Sequence, residues 1–243
     1  MAYRDDNDLA ILATAEDDDL KILMDYLIRD KEGDPRLTEE LTLTAGYKAN
    51  PDHPHTYWKD IAGELQCFGA NTVVTILRGG KGVMYREILC DVCDKLKVNY
   101  NGKASVSMIE MNLLQTILLK AIDEMDFSQM KEVIDSLELK TNDLTKQAVL
   151  GAVQAAVLRG GFMSYQIAVI VANAVAKALL GRGLTLAGNA ALTRAVGIFA
   201  GPIGWAVTAL WTIIDATGPA YRVTIPSVIQ VAYIRAKSNQ CPL

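Results

Sequence analysis

Apolar positions recur at helical rather than alternating spacing along most of the chain. In 16-EDDDLKILMDYLIRDKEGDP-35, the residues Leu20, Ile22, Leu23, Tyr26 and Leu27 fall on one face. Asp17 to Asp19 supply negative charge where a helix start favours it, and Gly33 and Pro35 stop the element. Residues 42–56 (TLTAGYKANPDHPHT) show no period and are rich in turn formers, so they are expected to form a loop. A second helical tract begins near Tyr57, with Trp58, Ile61, Ala62 and Leu65 on one side. The stretch 64–98 reads as helix, turn, helix, turn, helix, punctuated by Gly69 and by Gly79, Gly80 and Gly82. From Tyr85 the set Ile88, Leu89, Val92 and Leu96 repeats every three or four residues. A turn at 99–104 precedes amphipathic helices at roughly 107–124 and 127–138.

From Leu144 the pattern changes from amphipathic to apolar. Alanine and other small residues dominate 144–183, and Gly160 and Gly161 divide that tract into two helices. Between Ala195 and Ile214 the chain carries no formal charge for twenty residues. A helix of that length rises about 30 Å, the thickness of a bilayer's hydrocarbon core. Its eight strongly apolar residues contribute about −2.4 to −5 kcal/mol toward insertion. Gly197, Gly201, Pro202 and Gly204 oppose it, and Pro202 divides the run into two shorter helices. The tracts 160–180 and 195–214 are therefore read as a hydrophobic helical hairpin. Three fates stay open for it: the permanent centre of a helical globule, a latent device that inserts on a trigger, or a constitutive anchor. The last tract, 221–237, contains β-branched residues but is read as a helix with Pro226 in its first turn.

The fold class expected is all-α, a bundle of amphipathic helices packed with this hydrophobic C-terminal hairpin. Charge supports a division near 144. Residues 161–243 hold six basic side chains against Asp215 alone, a net of +5, which leaves −9 for residues 1–160 of the total −4. The expected organisation is an acidic region, 1–143, and an alanine- and glycine-rich region, 144–243, within one structural unit. A net charge of −4 excludes a general nucleic-acid surface. Four cysteines in 243 residues are too few for a disulfide scaffold, and MAYRDDNDLAIL lacks the pattern of a secretory signal. Cytoplasmic residence is expected, with peripheral or conditional contact at the inner membrane if the hairpin is ever released.

Motifs that carry chemistry are weak. Cys90 and Cys93 form a C-x-x-C inside a helix, without a second pair at zinc-ligand spacing. His53 and His55, the only histidines, stand in a loop beside Asp52, where solvated side chains are the expectation. The cluster 78-RGGKG-82 lacks the strand and the Ser or Thr of a phosphate loop. Asp5, Asp6, Asp8 and Asp17 to Asp19 lack the spacing of a calcium loop. No catalytic, cofactor or metal residue is assigned. An enzyme would need Glu64, Arg78 and Tyr85 to converge on a pocket. The candidates for engaging a membrane or partner are Phe199, Ile203, Trp205, Leu210 and Trp211, with Lys177, Arg182, Arg194 and Arg222 as charges facing anionic lipid.

Several strings form a pattern of their own. Glu64 to Gln66 with Phe68 and Gly69, Arg78 and Gly79 through Gly82 with Tyr85, and Ala220, Tyr221 and Arg222 through Pro226 resemble the bacterial YaaW-like family, as does the acidic opening 17–27. The resemblance spans most of the chain and implies a bacterial cytoplasmic protein. It brings no reaction with it, and the two cysteines of the C-x-x-C lie outside its pattern. The function expected is a non-enzymatic interaction or effector protein whose sequestered hairpin engages a membrane or protein partner. The alternative is a soluble regulatory or chaperone-like module with the hairpin as fixed core.

Overall fold

A computed structural model describes residues 2–30, 33–37, 39–69, 82–158, 161–185, 196–197 and 220–240. Among them the architecture is all-α. The acidic first turn starts α1 (Asp17–Ile28), whose Leu20, Leu23 and Leu27 are fully buried. The segment expected as a loop instead holds the short helix α2 (Ala45–Ala49), because the Thr44 hydroxyl accepts the Tyr47 amide as a cap. It also holds a 3-10 turn, Pro54–Tyr57, with proline at its first position, where the missing N–H costs nothing.

Next come α3 (Trp58–Gly69), α4 (Tyr85–Lys95) and α5 (Val106–Asp123), the last capped by Ser105. A capping box of Asp126 and Gln129 starts α6 (Phe127–Ser136). Two helices follow as expected from the double glycine, α7 (Lys146–Leu158) and α8 (Phe162–Leu180). The φ of +69° at Gly161, a region that penalises a Cβ, makes the break between them.

The last tract forms a helix, α9 (Tyr221–Ser238), as expected, but Pro226 sits in its second turn rather than its first. Proline there removes one backbone hydrogen bond. The residues around it, Val223 to Ile234, are all buried, and that packing offsets the loss. α9 is the hub, packing against α8, α1, α5, α4 and α3. One apolar cluster runs from Leu9 to Ile234 and includes residues from both halves of the sequence.

Charge asymmetry is resolved as ion pairs between those halves. Lys237 Nζ contacts Glu16 at 2.7 Å and Asp19 at 2.8 Å, and Arg182 pairs with Asp25. Of the expected hairpin, α8 is described and is long and apolar enough to cross a membrane. Its residues 166–176 are no more than 6% exposed, enclosed by α9, α5 and α7. The second arm, with Phe199, Ile203, Trp205, Leu210 and Trp211, lies outside the described residues, as does Arg194.

Candidate functional site: a buried ionic cluster beside an open cleft

α5 is an apolar helix with one carboxylate on its buried face. Glu110 stands among Ile109, Leu113 and Leu114 and is 2% exposed. Ionised carboxylates tolerate such burial only when paired. Both oxygens are satisfied: the Tyr85 hydroxyl of α4 donates to Oε1 at 2.7 Å, and Arg235 Nε of α9 donates to Oε2 at 2.8 Å. Arg235 also donates to the Asp8 carbonyl, and its guanidinium lies 6.0 Å from the Tyr85 ring centre. Burial pushes the Glu110 carboxyl above its ordinary value, against the opposing pull of Arg235 and the Tyr85 hydroxyl. Burial likewise lifts the Tyr85 phenol far above its ordinary range, so it is a donor and not a base.

A second polar knot holds the amino-terminal segment. Buried Gln66 exchanges two 2.9 Å hydrogen bonds with the Arg4 backbone, and Asp6 accepts the Tyr85 amide at 2.7 Å. Gly82 passes so close to α3 that an added Cβ would overlap the Gln66 carbonyl, while the Val83 amide donates to that same oxygen. A Cβ at Gly69 would meet Ile88. Phe68 packs, half buried, on the core.

Glu64, Gln66, Phe68, Gly69, Gly82 and Tyr85 thus share one close-packed junction of α3 with α4. Arg78 and Gly79 lie outside the described residues. Glu64 and Tyr85 have different hydrogen-bond partners. The Glu64 carboxylate turns to the Glu40 amide at 3.1 Å, and the Tyr85 hydroxyl to Glu110. Tyr221, Arg222 and Pro226 belong to the first turns of α9, with Lys95 placed over the Tyr221 ring.

Glu64 is 2% exposed, and its carboxyl is pushed up to about 7 by burial, with Glu39 and Glu40 adding to the rise. A raised acid contributes stability in full below its ordinary value near 4.5, and that contribution disappears as pH climbs through about 7. Stability is therefore expected to fall by about 1–2 kcal/mol between pH 4.5 and 8 on this account, after allowance for solvent screening. Urea unfolding across that range should show Glu64→Gln without this component of the slope and more stable than the parent at pH 8. Identical slopes for the two proteins would refute the assignment.

Between α5, α8 and α9 opens a cleft of about 530 Å³. Glu110 and Arg235 reach it, Met108, Met111 and Val157 supply apolar surface, and Ser164 and Tyr165 supply hydroxyls. No histidine or cysteine is among its described lining residues, so it holds no nucleophile and base pair of the Ser–His or Cys–His kind. Asn112, Gln115, Asn239 and Gln240 add amides, so the lining is mixed. The C-x-x-C is remote from such chemistry: Cys93 is fully buried in α4, and burial pushes its thiol up to about 12.

Lys177 is exposed on α8, Arg222 is half buried, and Arg182 is occupied by Asp25. His53 and His55 meet Asp17 rather than the neighbouring Asp52.

Residues 54–229 match the family model for the ubiquinol-cytochrome C chaperone, and residues 3–37 match a domain of unknown function, DUF3944. A UPF0174 protein of Helicobacter pylori strain J99 is 50% identical over 241 residues, covering 99% of this chain and 95% of the relative. A second UPF0174 protein of that strain is 39% identical over 206 residues, covering 83% of this chain and 98% of its own length. The UPF0174 protein YaaW of Escherichia coli K12 is 31% identical over 238 residues, covering 96% and 95%. No solved structure matches significantly.

Proposed function

The chain belongs to the bacterial UPF0174 family and, over residues 54–229, to the ubiquinol-cytochrome C chaperone family, and from that premise we propose that it is a non-enzymatic, chaperone-like protein that holds an apolar segment of a protein partner. The observation that carries this reading is the cleft between α5, α8 and α9. Its rim methionines are unbranched and repack around varied shapes, which suits a surface that accepts more than one apolar sequence. At its edge Arg235, held by Glu110, offers a fixed cation for a carboxylate or a backbone carbonyl. Enclosure of α8 supports that arm as fixed core, with the cleft as the working surface. Residence is cytoplasmic on this reading, and neither nucleic acid nor cofactor takes part.

The test uses a denatured client, rhodanese diluted from guanidinium, followed by light scattering. The protein is expected to suppress aggregation near stoichiometric ratios, whereas Ser164→Trp, which fills the cleft, weakens client binding about tenfold, or about 1.4 kcal/mol, with helicity unchanged. Suppression no greater than that given by serum albumin overturns the proposal.

A second reading, engagement of an anionic membrane, draws support from the uncharged run 195–214 and from exposed Phe162 and Lys177 on α8. Phe199, Ile203, Trp205, Leu210 and Trp211 would enter lipid, with Lys177, Arg182, Arg194 and Arg222 at its headgroups. Co-sedimentation with phosphatidylglycerol rather than phosphatidylcholine vesicles, lost in Ile203→Asp, would favour this reading. Equal recovery from both lipids favours the protein client.

A further inference from the structure

The acidic start of α1 and the turn Pro54–Tyr57 lie far apart in sequence and meet at the surface. There His53 Nδ1 stands 3.3 Å from Asp17 Oδ2, and His55 Nδ1 stands 2.7 Å from Asp17 Oδ1. The three ligand-type atoms of Asp17, His53 and His55 all fall within 4.8 Å of one another. A hydrogen bond from the His55 amide to Asp17 Oδ1, at 3.0 Å, fixes the carboxylate from behind. That main-chain bond does for the carboxylate what outer-shell partners do for ligands in metal sites. The chain contains no other histidine, and Pro54 fixes the spacing of these two.

From this convergence we propose that Asp17, His53 and His55 form a binding site for a divalent transition metal, zinc first among them. Two imidazoles and a carboxylate are the donor set that zinc takes at about 2.0–2.2 Å, which places neighbouring ligand atoms of a tetrahedron roughly 3.3–3.5 Å apart. The His53 Nδ1–Asp17 Oδ2 separation of 3.3 Å already has that value, while His55 Nδ1 approaches the other oxygen, Oδ1, at 2.7 Å, so the carboxylate has to turn until one oxygen faces both rings. Both imidazole side chains are at least half exposed, at 64% and 50%, so their rings turn without disturbing the core. The metal takes the Nδ1 lone pair of each imidazole in the tautomer that carries its proton on Nε2, a ring nitrogen free of the carboxylate. Three protein ligands leave a fourth position for water. The bound ion would staple the turn 54–57 to the first turn of α1.

Titration of the full chain with zinc sulfate, followed by proton NMR and calorimetry, tests the site. With two histidines the imidazole region holds two sets of lines, and both are expected to shift on addition of one molar equivalent of zinc. Asp17→Ala and His55→Ala should each weaken zinc about tenfold or more, with unchanged circular dichroism, while Cys90→Ala leaves the affinity as it was. Zinc that binds without moving both imidazole sets, zinc affinity that survives His55→Ala, or no binding at all would each overturn the assignment.

Discussion

Arg235→Ala is expected to destabilise the protein by about 3–5 kcal/mol, read as a fall in the urea midpoint with the denaturant slope unchanged. The Arg235 and Glu110 side chains are 16% and 3% exposed, so removing the cation leaves a carboxylate at the buried floor of the cleft with the Tyr85 hydroxyl as its remaining hydrogen-bond donor among the described residues. Most of the loss comes from that stranded charge rather than from the bond itself. Two controls separate these contributions. Glu110→Leu combined with Arg235→Met removes both charges at similar volume and should recover most of the stability. In Arg235→Ala alone the Glu110 carboxyl rises further, so the deficit should be smaller at pH 5, where the neutral acid is accommodated, than at pH 8. A deficit below 1 kcal/mol at pH 8 would mean that water reaches Glu110.

The other large effect concerns α8. Val171 is fully buried at the middle of this helix, which packs against α9 and α5. Val171→Asp places an unpaired carboxyl in that contact, a cost of more than about 4 kcal/mol, which approaches the whole stability of a typical domain. The variant is expected to lose its cooperative thermal transition. Lys177→Asp, on the exposed side of the same helix, should shift stability by no more than about 0.5 kcal/mol. A helix destined to leave the globule on a trigger would contribute little to the ground state. Normal unfolding of Val171→Asp would therefore sink the reading of α8 as fixed core.

Much of the architecture was legible because long helices with one buried face declare themselves by period. Leu20, Leu23 and Leu27 mark α1, Ile88, Leu89 and Val92 mark α4, and Gly161 marks the break before α8. What escaped was decided by single side chains or by tertiary packing. A cap from Thr44 makes a helix of five residues, too short for any period to register. Pro226 is held inside α9 by its buried surroundings, against its own preference.

The polar clusters escaped for a different reason, since their members are separated by tens to hundreds of residues. Tyr85, Glu110 and Arg235 come from three helices, and Asp17 reaches His53 and His55 across 36 and 38 positions. One signal was available for the first cluster: Glu110 is a lone charge on the apolar side of α5, and such a residue calls for a distant partner of opposite sign. For the second, Asp52 is the aspartate adjacent in sequence, whereas the fold supplies Asp17.

The hub position of α9 also bears on how the molecule comes into being on the ribosome. Gln230 bonds the Asp19 carbonyl and Arg235 the Asp8 carbonyl across 211 and 227 residues, so the helix that closes the core is translated after the elements it closes. Until it emerges, the nascent α8 has an unmatched apolar flank and the acidic opening lacks its counter-charges. Such long-range closure slows folding and lengthens the interval in which the nascent polypeptide exposes apolar surface to aggregation.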